Sequence, residues 1–394
     1  DINPLQGWEK LAVRQAQGRT LAADIISSID VPAYDNSAMD GYAIASTDLP
    51  LEGEARLKVI GDALAGHPFK GSIAAGCCVR IMTGAQIPEG LNTVIISEVC
   101  RNESAGEYNY VCFPAGATSG ENRRRAGEDL ARGKTAIRKG TRLGAAELGL
   151  IASLGQAEVS VVRKPRVAYF STGDEIQSLG QPLAEGQIYD SNRYTLTALL
   201  DSLDVELFDL GVIADQPELI EEAFLLASNE ADLVISSGGV SLGDADYVKQ
   251  TLERLGQVDF WRLAIKPGRP LAFGRVQNAL FFGLPGNPVA AMITFLQFVT
   301  PALATLKGET EVLPTTFKVV CTQRLKKRPG RTEFLRGICS DDGSGNLQVA
   351  TTGHQGSGVL TSMSQANCLI VLEHQRADIE PGEYVTVQPF KGIL

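Results

Sequence analysis

Histidine is nearly absent from this chain. There are three, His67, His354 and His374, in 394 residues. None falls between residues 166 and 308, where the most elaborate loops lie, so a Ser–His–Asp triad has no support there. Cysteine is equally uninformative as a framework: seven residues, an odd number, with no CxxC pair. In a chain this long that pattern fits small buried hydrophobes in a reducing compartment better than disulfides, and with so few histidines it argues against a zinc site. No apolar run approaches the roughly 18 residues of a membrane span, so no membrane partner is expected. No signal peptide is visible, which leads us to expect a cytoplasmic protein, and the first residue is Asp1 rather than Met, so the native start is expected to be missing. A Walker A loop is lacking. Basic excess is lacking too: the formal net charge is −10, which argues against nucleic acid as a partner yet leaves room for a local anion site. Internal repeats and low-complexity segments are missing as well. What remains is ordinary globular composition, 44% apolar and 21% charged, long enough for two or three domains at about 150 residues each.

The most organised stretch is Leu233–Asp246, LVISSGGVSLGDAD. An apolar run stops at Ser236, Ser237, Gly238 and Gly239, with Ser241, Asp244 and Asp246 following. This reads either as a tight strand-to-helix turn or as a loop that lets a ligand approach the backbone. Four other segments share its grammar: 167–175 (VAYFSTGDE), 207–215 (LFDLGVIAD), 260–270 (FWRLAIKPGRP) and 280–288 (LFFGLPGNP). Helical spacing is expected between them, over 192–202, 217–228, 246–255 and 289–306. Alternating strand and helix predicts an open, mostly parallel sheet with ligands at the carboxyl ends of its strands. That edge would gather Ser171, Thr172, Asp174, Glu175, Asp215, Ser236, Ser237, Asp244, Asp246, Lys266, Arg269 and Asn287.

The flanks read differently. Helices are expected at 6–15 and 19–27, followed by the turn-rich VPAYDNSAMDGYA of 31–43. There Asp35 reads first as a backbone cap, and Asp40, before Gly41, as the better candidate for reaching a ligand or metal. Short strands near 57–60, 79–82, 93–99 and 108–113 predict a small β domain, with Thr83 at a strand end. Arg123–Arg125 before Gly127-Glu128-Asp129 suit either a solvated face or a phosphate site. A helix is expected at 145–154, closed by Gly155. After residue 309, short strands predict a C-terminal β-barrel, in which the basic run 324–328 reads as a charged edge. The fold class is therefore multidomain α/β plus β: a helical linker region (1–34 and 126–165), an inserted small β domain (35–125), an open mostly parallel α/β domain (166–308) and a C-terminal β-barrel (309–394).

Carboxylates among hydroxyls at a strand edge suit Mg²⁺, and lysine, arginine and backbone N–H groups suit phosphate or another tetrahedral oxyanion. Together they suggest Mg²⁺-assisted chemistry on a phosphorylated substrate.

Read in order, DNSAMDGYA (35–43), RIMTGAQIPEG (80–90), GED (127–129), STGDE (171–175), YDSN (189–192), SSGGVSLGDADY (236–247), IKPGRP (265–270), GLPGNPV (283–289) and TGHQGSG (352–358) resemble the molybdopterin molybdotransferase family, the MoeA and gephyrin E-domain group. The resemblance implies a MogA-like molybdopterin-binding α/β domain. It also implies a homodimer whose active cleft lies between the α/β domain of one subunit and the β domain of the other. The reaction it implies is Mg²⁺-dependent insertion of molybdate into adenylylated molybdopterin with release of AMP. The upstream molybdopterin adenylyltransferase and downstream cofactor enzymes are implied as further partners.

Carried across position by position, the resemblance implies catalytic roles for Asp40, Thr83, Asp129, Glu175, Asp215 and Asp246. It implies Mg²⁺ at Asp215, Asp246 and Glu175. Arg262, Lys266 and Arg269 would hold molybdate and phosphate, with Arg124 a further basic partner of Asp129. Ser236, Ser237 and Gly238 would cradle the nucleotide or pterin, and Pro285 and Pro288 would shape the loop beneath it. The chain departs from the family where Ala290 replaces a common Ser, where Arg262 and Arg269 replace Lys, and where Ala126 interrupts the arginines before GED. Two other readings stand beside the insertase: a non-catalytic molybdopterin-binding scaffold, and a related molybdopterin adenylyltransferase, which would need ATP.

Overall fold

The computed structural model of the protein describes residues 2–238 and 247–390. Its first regular element is a strand, Trp8–Ala12, pairing antiparallel with Glu158–Val162. This corrects the expectation of helices at 6–15 and 19–27. Only a single 3-10 turn, Val13–Gln15, and a two-residue strand, Ile25–Ile26, form there. The apolar spacing looks helical, but Leu21 and Ala16 are wholly buried beside Val159, Val161 and Ile151. Pairing with chain far away in sequence overrides local propensity. The region therefore contains one helix, Ala145–Ser153, among short strand pairs.

From this base the chain runs outward along two short ladders, Ile25–Ile26 with Thr135–Ile137 and Asn36–Ser37 with Arg123–Arg124. They lead to one six-stranded sheet. The four expected strands are joined there by two more, Gly41–Ile44 and Arg101–Ala105.

The α/β region is built on β1 (Arg166–Thr172), α1 (Ser191–Asp201), β2 (Glu206–Ile213), α2 (Pro217–Glu230), β3 (Leu233–Ser237), α3 (Tyr247–Leu255), β4 (Gly256–Arg262), β5 (Ile265–Lys266), β6 (Pro270–Val276), β7 (Ala279–Leu284) and α4 (Pro288–Thr294). The sheet order is β2-β1-β3-β7-β6-β4, with parallel pairing from β2 to β7 and antiparallel pairing at β7–β6 and β6–β4. Side chains alternate between faces. Val167, Tyr169, Leu233, Ile235 and Phe282 enter one core with α1 and α4. Ala168, Phe170, Val234 and Phe281 enter the other, against Ile220, Phe224, Val248 and Leu252. Two apolar faces explain the near-continuous hydrophobic runs. Helix α4 continues through a π turn to Leu306. This 19-residue stretch is apolar enough to cross a membrane, but most of it is buried inside the fold.

The C-terminal region closes five strands into a barrel: β8 (Phe317–Cys321), β9 (Thr332–Asp341), β10 (Leu347–Thr351), β11 (Cys368–Leu372) and β12 (Tyr384–Pro389). Pairing of β9 with both β10 and β11 completes the ring. The two-residue β5 of the α/β region joins it in parallel, Ile265 opposite Thr332 and Lys266 opposite Glu333. That ladder fixes the barrel against the carboxyl edge of the central sheet.

Candidate functional site

A cavity of about 820 Å³ opens at that edge. Its floor comes from the ends of β1 and β3. Gly238 follows β3 at φ +89°, and a Cβ there would stand 2.3 Å from the Thr172 carbonyl oxygen. Only glycine lets the two strand ends lie this close. The Gly238 N–H is already donated to the Leu284 carbonyl at 3.2 Å. Gly238 thus serves the site by having no side chain, and its N–H is not free to bind a ligand. Ser237 Oγ accepts from Asn192 Nδ2 at 2.7 Å, and the same amide donates to the Gly286 carbonyl at 2.8 Å. The Ser237 hydroxyl is also hydrogen-bonded to the buried Tyr169 hydroxyl, so it is held within the floor of the cavity. Asn192 sits in the first turn of α1, which Asp190 caps by accepting from the Arg193 N–H at 3.0 Å.

The upper walls carry charge. Lys266 ends β5, Arg269 lies in the loop from β5 to β6, and Pro285 and Asn287 follow β7. The barrel closes the far side with Arg331, Gln355 and Ser357. Gln355 is locked by its Oε1, which accepts the Arg336 N–H at 2.8 Å.

Glu175 lines the cavity as well. Asp215, just past β2, has its carboxyl pushed above the ordinary range, first by burial and then by the negative charges of Asp174 and Glu175. The charges of Asp174 and Glu175 make ionisation of Asp215 more costly, and a divalent cation placed among the three would remove that repulsion. Among the described residues, however, no three His, Cys, Asp or Glu side chains converge tightly enough to form a metal cage by themselves. Mg²⁺ commonly takes one or two carboxylates and keeps water and phosphate oxygens, so Glu175 and Asp215 are the described donors that such an ion would use. Asp246, the further acidic residue expected here, lies outside the described residues, as do Gly239, Ser241 and Asp244.

Of the residues singled out in the sequence, the cavity thus brings together Ser171, Thr172, Glu175, Ser237, Gly238, Lys266, Arg269, Pro285 and Asn287, while Asp174 and Asp215 lie outside its lining. Ser236 is fully buried behind the floor. Pro288 opens α4. Arg262 ends β4 at the same edge, exposed and outside the cavity lining.

Asp40, Thr83, Arg124 and Asp129 lie elsewhere, on the N-terminal half. Asp40 Oδ1 accepts from both the Thr83 hydroxyl at 2.7 Å and the Thr83 N–H at 2.8 Å. Asp40 also borders a second, polar hollow of about 600 Å³ with Arg80, Asn102 and Tyr110. Arg124 is in the short ladder with Asn36, and exposed Asp129 donates its N–H to the Val31 carbonyl. Asp35 proves structural: it pairs with Arg123 and accepts the Ala126 N–H at 2.8 Å.

Sequence reasoning gave no role to Asp190, Asn192, Arg331, Gln355 or Ser357, all of which line the cavity. Four of them stand in YDSN and TGHQGSG, so the signal was a polar, turn-forming motif without an assigned partner.

Comparison with known proteins agrees along the whole chain. Residues 2–155 match the MoeA N-terminal region (domain I and II), 168–305 a probable molybdopterin binding domain, and 318–390 the MoeA C-terminal region (domain IV). The chain is 45% identical to a molybdopterin molybdenumtransferase of Haemophilus influenzae, over 98% of this chain and 95% of that one. It is 37% identical to a protein of the same name from Nostoc, over 98% and 89%. A crystal structure of the molybdopterin biosynthesis moeA protein from Pyrococcus horikoshii superposes with a TM-score of 0.84 at 29% identity, covering 98% of this chain and 96% of that one. With three consecutive matches, near-full-length relatives and the same architecture, the chain belongs to the MoeA family.

Proposed function

We propose that the protein is a molybdenum insertase of molybdenum cofactor biosynthesis. It takes adenylylated molybdopterin and molybdate and releases AMP in a Mg²⁺-dependent step. The observation that carries this reading is the charge arrangement of one cavity: Lys266, Arg269 and Arg331 share it with Glu175, whose carboxylate neighbours Asp215. Cations there suit molybdate and phosphate oxygens, Arg269 and Arg331 through the planar guanidinium fork and Lys266 as a point charge. Ser237, tied to Asn192, and Gly238, which lets the ends of β1 and β3 lie close together, shape the floor on which the ligand would rest. Glu175 and Asp215, with Asp246, would hold Mg²⁺, which supplies positive charge against the phosphoanhydride oxygens. A barrel wall and a sheet edge around one cavity restrict water and strengthen each of these interactions.

Asp40 and Thr83 lie outside this chain's own cavity. That separation supports a homodimer in which the β domain of one subunit serves the cavity of the other. Seven free cysteines suit the reducing cytoplasm, where we place the reaction.

The test is AMP release from purified adenylylated molybdopterin, with Mg²⁺ and molybdate each supplied or withheld. Release should require both and should fall on the order of 10²–10³-fold in Asp215→Ala. Mixing Asp40→Ala with Asp215→Ala subunits should restore activity, because half of the hybrid clefts are then intact. Absence of release under every condition, from intact dimers, would favour the scaffold reading.

A further inference from the structure

Glu333 is 3% exposed in β9, and its carboxylate is unusual in that setting. It stands directly across the β5–β9 ladder from Lys266. Its Oε2 accepts from Lys266 Nζ at 3.1 Å. The backbone supports the pair, since the Thr332 N–H donates to the Ala264 carbonyl at 2.8 Å. The two partners differ sharply in environment: the lysine side chain is half exposed and lines the cavity, whereas the glutamate is enclosed by the barrel. A buried carboxylate with one cationic partner adds little to stability, and an apolar side chain would fill that barrel wall as well. Its placement therefore makes more sense for the cavity than for the barrel.

We propose that Glu333 is a positioning residue that holds Lys266 Nζ in register at the cavity wall, so that the oxyanion site is complete only with the barrel docked on the α/β domain. This deepens the reading of the cavity as an oxyanion-binding site and rests on it. A lysine ammonium carries three donors. Glu333 engages one, leaving two for ligand oxygens in a fixed direction. The carboxylate also offsets part of the positive charge. The arrangement gives up ground-state attraction for the anion in exchange for placement, which favours turnover over tight binding.

The experiment uses the full chain and inorganic molybdate as probe, titrated calorimetrically into wild type, Glu333→Gln, Lys266→Ala and the double variant, with AMP release measured in parallel. Glu333→Gln should bind molybdate about three- to tenfold more tightly while kcat for AMP release falls about tenfold. Both changes should vanish in the Lys266→Ala background. Glu333→Met should keep the thermal midpoint of wild type and show the same split between binding and turnover. The inference is overturned if Glu333→Gln changes neither quantity, if it weakens binding and turnover together, or if its effects persist without Lys266. The binding arm needs no turnover. A chain that shows the Glu333 and Lys266 effects on molybdate but never releases AMP would keep this inference and lose the insertase reading.

Discussion

A single oxygen of Asp40 accepts two hydrogen bonds from Thr83, one from its hydroxyl and one from its N–H. These bonds, with a smaller contribution from the charge of Arg80, hold the Asp40 carboxyl below its ordinary value despite some desolvation. The sign follows directly. A depressed carboxyl favours the folded, ionised form above its ordinary value, and that advantage is lost as pH falls through the folded value. Thr83→Val removes the hydroxyl bond and keeps the N–H bond. Carboxyl NMR should then show Asp40 titrating at higher pH, and the acid limb of the activity profile should move up with it. An unmoved Asp40 titration would remove Thr83 from this role.

Asp215 has the opposite sign. Its carboxyl is raised by burial and by Asp174 and Glu175, so its ionisation opposes folding. The cost is absent below the ordinary carboxylate range, grows as pH rises towards the folded value, and is complete above it. Asp215→Asn should therefore raise the thermal midpoint near neutral pH without added metal. Mg²⁺ should raise the wild-type midpoint there by binding the folded state, and should do much less for Asp215→Asn or for wild type in acid. Calorimetric scans with and without Mg²⁺ decide this. An equal Mg²⁺ response in both proteins would separate Asp215 from the metal.

Phe224 provides a contrast in which stability changes and chemistry does not. Its ring meets Phe170 edge-on at 5.1 Å and Phe281 at 5.4 Å, in the core on the α2 face of the sheet. Phe224→Ala should cost about 3–5 kcal/mol in urea unfolding while the folded fraction retains the wild-type affinity for molybdate. Loss of affinity at temperatures where the variant is folded would show that this core transmits strain to the cavity.

The sheet edge was legible because its signals are local. Each apolar run ends in glycine, serine or a charged residue, and the parallel strands put those ends side by side. The N-terminal strand Trp8–Ala12 was not legible, because its partner Glu158–Val162 is remote in sequence and its apolar spacing also suits a helix. Arg331, Gln355 and Ser357 were missed for a related reason. Nothing near them in the sequence says that the barrel docks on the sheet. The contacts that bring them there are the two-residue β5, too short to leave a periodic pattern, and the Val289 N–H donated to the Ser357 carbonyl at 3.1 Å. Thr83 was legible as a strand-end hydroxyl, but its partnership with Asp40 joins two turns that only the six-stranded sheet brings together.

The slender attachment of the β domain has a mechanical consequence. The segment bearing Asp40 is tethered through ladders two or three residues long, braced by the Arg123–Asp35 pair and by backbone bonds of Gly127 and Asp129 to Pro32 and Val31, which makes this root the lever arm's fulcrum. Angular play at the root is magnified at the tip. The cavity residues have no such magnification, because the sheet and barrel clamp them from several sides. If the proposed shared cleft holds, the reach of Asp40 is set at this root, whereas the cavity is set by the sheet and barrel. Substitutions at the root, far from any reacting atom, can retune that reach without disturbing the clamped half.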